Sequence, residues 1–259
     1  MLLLSFLLSI LLLSTILFFI FNNYTTKRDW FQETLQEIAV KIPVVEKTIV
    51  EDLYNMQQKI TPLFHEKVPW NSKTYGELFL SEDSGPETFV FDSILREELG
   101  LIGRDAQIYK MKVLKELQDK FHDSIMKAKD HYRRWRPKYM SRHYNIPFVI
   151  YDMPSAQGWS LPSGHTIQAL LFGAVLYRDH KSLFEKGGAE SAALLERMAK
   201  KCLEVGFRRV VGGVHYPSDV VGGIIFVKNA TRDWGIKKLH HLYFDYAEKG
   251  FRDGINTIW

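Results

Sequence analysis

His215 and Asp219 stand four residues apart with Pro217 between them, and five residues separate Arg209 from His215. If Pro217 starts a helix, that spacing puts the imidazole and the carboxylate on one face. A carboxylate held on one ring nitrogen selects the tautomer and leaves the other nitrogen basic and aimed, as an activated nucleophile requires. Gly212 and Gly213 let the chain between Arg209 and His215 turn tightly. In isolation the same residues serve equally well as a salt-bridged helix cap.

Two further clusters hold the complementary groups. Lys129 is followed after six residues by Arg136-Pro137. Seven positions are close to two helical turns, so both cations are expected on one side of a helix, roughly 10 Å apart along its axis. Proline biases Arg136 towards an extended conformation at the helix end. Arg offers a planar fork for two phosphate oxygens and Lys a compact point charge. Alone, this pair is better read as a basic helix terminus. The other cluster is Pro162-Ser163-Gly164-His165. Pro and Ser are helix-start residues, and the free N–H groups of a first turn attract anions. Gly164 allows close backbone approach, and His165 at the rim can pass a proton to a leaving oxygen. A plain N-cap with a surface histidine is the competing description.

At average residue usage, all three patterns would fall in one chain of this length by accident roughly once in a million. Together they resemble the signature of the type 2 phosphatidic acid phosphatase and vanadium haloperoxidase superfamily, Lys-x6-Arg-Pro, Pro-Ser-Gly-His and Ser-Arg-x5-His-x3-Asp. Here they read KDHYRRWRP, PSGH and RRVVGGVHYPSD, in that order. The resemblance spans about residues 92 to 227, and within the superfamily the chain looks most like the soluble class A bacterial acid phosphatases.

The resemblance implies that His215 is the nucleophile and forms a phosphohistidine, that Asp219 orients it, and that His165 protonates the leaving alcohol and later activates water. It implies that Lys129, Arg136, Arg209, Ser163 and the Gly164 N–H hold the phosphate oxygens, with no metal and no cofactor. Three cations then stand where a divalent metal stands in other phosphatases. Vanadate is expected as a phosphate mimic and inhibitor. The pattern departs at one position, because Arg208 occupies the place usually held by Ser; a solvated surface side chain is the expectation for it. The implied function is a metal-independent acid phosphatase acting on phosphomonoesters, lipid phosphates included. A vanadate-dependent haloperoxidase uses the same pocket and is the competing enzyme, faintly suggested by Trp135. A non-catalytic phospho-ligand binder would keep the cations without needing both histidines.

These clusters need a scaffold, and the pattern around them is helical. Asp29 to about Gln58 is helical with a break at Pro43, and Pro62 and Pro69 are expected to begin irregular chain through the turn-rich Ser81 to Pro86. Asp92 can cap a short helix ending near Gly100. Leu114, Leu117, Phe121, Ile125, Ala128 and Tyr132 form one apolar face of a helix from about Asp105 to Pro137. A helix after Gly164 presents Ile167, Leu170, Leu171 and Ala174 on one side. Others are expected from about Ala189 to Val211 and from Val220 to Val227, and no segment alternates like a strand. The expected fold is all-α, a compact helical bundle preceded by one hydrophobic helix. The expected organisation is residues 1–22 as an anchor, 23–91 as a helical extension and 92–259 as the phosphatase core of the same domain.

Composition adds little beyond this. Of 259 residues 46% are hydrophobic and 25% charged, enough for one sizeable core, and the formal charge of +4 is spread without a basic block. That excludes an evident nucleic-acid stripe and suits an anionic partner. The single cysteine, Cys202, excludes an intrachain disulfide and reads as a packing residue. Residues 1–21 carry no charge and are long enough to cross a bilayer, without the basic start and small-residue site of a cleaved signal. Membrane attachment through residues 1–21 is therefore expected, with a cleaved secreted form as the alternative. Lys27 and Arg28 would hold their flank in the cytoplasm, but Asp29 beside them weakens that vote. The working expectation is an extracytoplasmic (periplasmic) catalytic domain. Oligomeric state has no signal in the sequence.

Overall fold

The Asp29 carboxylate accepts the backbone N–H of Phe31 at 3.0 Å and so starts α1 (Trp30–Lys41), satisfying one of the donors that every helix start leaves open. The computed structural model describes residues 29–67, 91–148 and 153–253. The anchor expected over residues 1–22, Pro69 and the polar stretch at 81–86 lie outside the described residues. The break expected at Pro43 is present, and α2 (Lys47–Lys67) follows it. Pro62 does not begin irregular chain, however: α2 continues through that position to Lys67. One missing backbone hydrogen bond does not outweigh the rest of a 21-residue helix.

α3 (Asp92–Leu99) ends on Gly100, whose φ of 63° is the left-handed C-cap conformation that glycine adopts without strain. Its N-cap is Phe91; Asp92 lies in the first turn and pairs with Lys110 of the next helix at 2.6 Å. That next helix, α4 (Gly103–Tyr132), buries Val113, Leu117, Phe121, Ile125 and Ala128. The expected apolar face is there, with Leu114 half-buried beside it. The helix does not reach Pro137. Arg133 takes a left-handed conformation at φ 47° and closes it, and residues 133–136 run without regular structure into α5 (Pro137–His143).

α6 (Gly164–Asp179) is the hub. It packs against α4, α8 (Gly188–Val211) and α9 (Pro217–Ala230), with the short α7 (Lys181–Glu185) at its end. A one-sided apolar face was the expectation, yet α6 is buried nearly all round, from Thr166 to Tyr177 with only Gln168 exposed. Helices on several sides leave it no solvent face. α1 lies on α9, and α10 (Lys237–Asp253) packs on both α8 and α9. α10 has no counterpart among the expected helices, although its buried Leu239, Tyr243, Tyr246 and Ala247 follow helical spacing. The described residues form helices and no strands, so the all-α expectation holds. Among them no helix is long and apolar enough to cross a membrane.

Glycines set the spacing around the hub. A methyl group on Gly206 of α8 would stand 2.9 Å from Thr166 Oγ1, and one on Gly223 of α9 would stand 3.2 Å from Thr166 Cγ2. Val221-Gly222-Gly223 is therefore a site of close helix packing, whereas the similar Val211-Gly212-Gly213 forms a turn. At Gly173 a methyl group would meet Cys202 Sγ at 2.5 Å and Tyr243 Oη at 2.7 Å. Cys202 is fully buried there and its thiol is pushed up to about 12 by desolvation, as befits a packing residue. Gly173→Ala gains about 1 kcal/mol of helix propensity, but the overlap costs about 1–3 kcal/mol. A lower urea midpoint is the expected result, partly restored when Cys202→Ala is added. An unchanged midpoint would mean that the α6–α8 contact is looser than the distances indicate.

Candidate active site

The three sequence clusters meet where α4, α6 and α9 begin or end. Lys129 lies in the last turn of α4, 9% exposed, and its Nζ donates to the Trp159 carbonyl at 2.9 Å. Arg136 has φ −71° and ψ 157°, the extended setting that Pro137 at the first position of α5 favours. It is buried, and it donates from Nε to Gly158 O (2.7 Å), from Nη1 to Val214 O (2.9 Å) and from Nη2 to Trp159 O (3.3 Å). Lys129 and Arg136 therefore do not project from one helix two turns apart. They converge because the chain leaves α4 after Tyr132 and returns extended, and the Trp159 carbonyl accepts from both.

In the second cluster Ser163 caps α6, with Gly164 and His165 in the first turn. The Ser163 hydroxyl accepts from Thr166 Oγ1 at 2.8 Å, and its backbone N–H donates to Asp219 O at 3.1 Å, which ties this cluster to the third. In the third, Arg209 lies in the last turn of α8 and its carbonyl accepts from both Val214 N (3.1 Å) and His215 N (3.3 Å). Gly213 makes that closure at φ 73°, as expected for a tight glycine turn. Pro217 then opens α9, and Asp219 Oδ2 accepts the Tyr216 N–H at 2.9 Å from the first turn.

The His215 tautomer follows from its neighbours. Nδ1 lies 3.1 Å from Asp219 Oδ2, and Nε2 lies 3.2 Å from Arg136 Nη1. A guanidinium only donates, so Nε2 presents its lone pair and Nδ1 carries the proton to the carboxylate. Burial, then the Arg136 charge, holds the imidazole well below its ordinary range against the pull of Asp219, so it is neutral. Burial by itself would raise the Asp219 carboxyl. The Arg134 guanidinium, His215 and the Tyr216 N–H outweigh it and hold the group below its ordinary range. Burial, reinforced by Arg136, lowers Lys129 to about 7, with Asp219 opposing.

Lys129, Arg136, Gly164, His165 and His215 line one end of a cavity of about 610 Å³ between α4 and α6. A methyl group on Gly164 would stand 3.7 Å from Lys129 Cε, an ordinary contact, so its small size is not demanded by the protein around it. The rest of the lining includes Leu114, Leu117, Ile125, Met126 and Leu171, with Gln118, His122 and Gln168 among them. Ser163, Arg209 and Asp219 do not line this cavity. They are almost wholly buried behind it, and Arg209 Nη1 lies 2.8 Å from Met153 Sδ. Five of the eight expected residues thus share the cavity wall, and Asp219 reaches it through His215.

Arg208 is not a solvated surface side chain. It is 9% exposed, forms an ion pair with the buried Glu204 one turn earlier, and is lowered to about 10 by burial and then by Arg209. Burial raises the Glu204 carboxyl, against Lys201 at 3.1 Å. Packing around α8 leaves this pair little access to solvent.

Arg134 was overlooked in sequence. Its Nη1 donates to Asp219 Oδ1 at 2.8 Å and to Ser218 Oγ at 2.9 Å, with the guanidinium 4.6 Å from the centre of the Tyr216 ring. The signal was available: in an extended segment residues two apart share a side. Once Pro137 makes Arg136 extended, Arg134 turns inward with it, and Trp135 turns out to 53% exposure, edge-on to Trp159 and Tyr139.

Residues 121–227 match the model of the PAP2 superfamily, a span that begins in α4, ends in α9 and contains all eight expected residues. No curated protein and no solved structure matches the chain at a significant level. The match, the all-α fold and the meeting of the three clusters at one cavity agree, and at a coarse level they point to a phosphatase or a related phosphoryl-transfer or haloperoxidase activity. Over residues 121–227 the chain is similar to the PAP2, or type 2 phosphatidic acid phosphatase, superfamily.

Proposed function

We propose that the protein is a metal-independent phosphoric monoester hydrolase that works through a phosphohistidine on His215. The observation that carries the reading is the oriented imidazole, neutral, with Nδ1 tied to Asp219 and Nε2 directed to the cavity end where Lys129 and Arg136 converge. In this reading Nε2 attacks phosphorus while Lys129, Arg136 and the first-turn N–H groups of α6 take up charge on the phosphoryl oxygens. His165 gives its proton to the leaving oxygen. It then takes a proton from the water that displaces phosphate from Nε2, and inorganic phosphate leaves. Arg209 and Ser163 act from behind this surface, Ser163 by holding the start of α6 against Asp219.

The test is p-nitrophenyl phosphate hydrolysis by the full-length chain in detergent, with EDTA and then with vanadate. Activity that survives the chelator and is blocked by vanadate is expected. Loss of activity on EDTA, restored by a divalent metal, would overturn the metal-independent assignment. Turnover of halide with peroxide and vanadate, in the absence of ester hydrolysis, would move the protein to the haloperoxidases.

The cavity walls bear on the leaving group. A likeness to class A enzymes favours small phosphomonoesters, whereas the apolar side chains of α4 and α6 favour an ester with a long apolar alcohol, as in a lipid phosphate. Across a series of n-alkyl phosphates kcat/KM should rise by up to about fourfold per methylene until the cavity is filled. A flat series would return the substrate to small polar esters. The same reading keeps residues 1–22 as an anchor, with 23–91 an extension of one domain and the site outside the cytoplasm. Protease accessibility of the intact cell's protein decides that orientation.

A further inference from the structure

We propose that Arg134 is a positioning residue that keeps Asp219 ionised, and so keeps the proton of His215 on Nδ1 rather than on the attacking nitrogen. The proposal rests on His215 as nucleophile, and adds a residue to that machinery which touches neither substrate nor the reacting atoms.

Asp219 is completely buried, and a buried carboxylate stays charged only where partners offset its lost hydration. Its two oxygens divide the work. Oδ2 accepts from His215 Nδ1 and from the Tyr216 N–H, while Oδ1 accepts from Arg134 Nη1 at 2.8 Å. Among the described residues Arg134 makes the only side-chain ion pair with Asp219 besides His215, and it is itself 8% exposed. The guanidinium is fixed on several sides: Nη1 also donates to Ser218 Oγ, Nη2 donates to Pro43 O at 3.3 Å, and Cζ stands 4.6 Å from the centre of the Tyr216 ring. A cation held this way cannot follow a substrate, which separates its task from that of Arg136 on the other face of His215. It also joins the Pro43 turn between α1 and α2 to the first turn of α9.

The consequence is specific. Without the Arg134 charge, desolvation raises the Asp219 carboxyl, and a neutral carboxyl can donate its proton to His215 Nδ1. The imidazole must then carry its own proton on Nε2, where the lone pair is needed, so the nucleophile is lost without any change in the phosphate-binding cations. The charged groups that face the His215–Asp219 pair are Arg134, Arg136 and Lys129. Arg136 and Lys129 remain in an Arg134 variant, and neither is hydrogen-bonded to Asp219 in the wild type.

Arg134→Gln removes the charge and shortens the side chain while keeping a hydrogen-bond donor, and Arg134→Lys keeps the charge. The glutamine variant is expected to lose kcat on the order of 100-fold with KM changed by less than about threefold, and its acid limb should move to higher pH. The lysine variant should stay within about tenfold of the wild type with an unshifted limb. A second readout needs no turnover. The His215 Nδ1–H should give a downfield, exchange-protected proton resonance in the wild type, lost at higher pH in Arg134→Gln. Equal kcat in wild type and Arg134→Gln, equal losses in both variants, or the same imidazole resonance in all three would overturn the proposal. So would failure of both variants to fold by circular dichroism, since Arg134 would then serve the fold alone. Should the wild type not hydrolyse phosphate esters, the phosphatase reading fails, and the resonance still decides whether Arg134 sets the tautomer.

Discussion

His215→Ala is expected to lower kcat for p-nitrophenyl phosphate on the order of 10⁴-fold while inorganic phosphate still binds within about fivefold of the wild-type affinity. The two effects separate because the nucleophile and the anion-binding groups are different side chains on different elements. Lys129 lies in the last turn of α4, Arg136 precedes α5 and the first-turn N–H groups belong to α6, so none depends on the imidazole for its position. Arg136 is held by carbonyls of Gly158, Trp159 and Val214 and loses only one of its contacts when the ring is removed. Rapid-quench measurement with ³²P-labelled substrate supplies the complementary observation, an acid-labile phosphoenzyme in the wild type that is absent from the variant. Turnover that persists in His215→Ala, or a phosphoenzyme stable to acid, would remove the histidine mechanism.

Lys129→Met should lower kcat/KM by about 10²–10³-fold, the scale on which one preorganised charge at a transferring group acts. The same lysine should imprint a pH dependence. Burial holds Lys129 at about 7, so it is charged below that pH and neutral above it. In the free enzyme kcat/KM is then expected to fall as pH rises through about 7, whereas kcat is less affected because a bound phosphate dianion favours the protonated amine. Lys129→Arg keeps its charge throughout this range, so the fall should move to higher pH in that variant, and the comparison cancels ionisation of the ester itself. For stability the sign is the reverse of a salt-bridged lysine. Between about 7 and the ordinary lysine range the unfolded chain binds the extra proton, so this residue's contribution to stability rises with pH across that window. Superimposable kcat/KM profiles for the wild type and Lys129→Arg would place the lysine outside the substrate site.

Much of the site was legible because its chemistry is local. The spacing of His215 and Asp219 specifies a contact inside one helical turn, and the structure returns it at 3.1 Å. Pro137 dictated the extended backbone of Arg136, and Gly213 the closed turn before His215. Arg134 and Arg208 escape a reading of the sequence for one reason. Each lies in a basic run that looks like a solvated helix end, and the partners that bury them are contributed from elsewhere: Asp219 lies 85 positions from Arg134 in sequence, and the helices around α8 enclose Arg208. A charge pattern along the chain carries no information on which neighbours will remove it from water.

By itself, then, the sequence determined the helical class, the residues able to do phosphoryl chemistry and the backbone conformation at its prolines and glycines, because these depend on contacts within a few residues. Tertiary structure decided the rest. It ended α4 at Tyr132 so that Lys129 and Arg136 could meet at the Trp159 carbonyl, and it buried α6 among its neighbours. It put Arg209 and Ser163 behind the cavity, opened an apolar wall towards the leaving group, and set Arg134 against Asp219. Each of these depends on desolvation by segments distant in sequence, and burial is a property of the packed molecule.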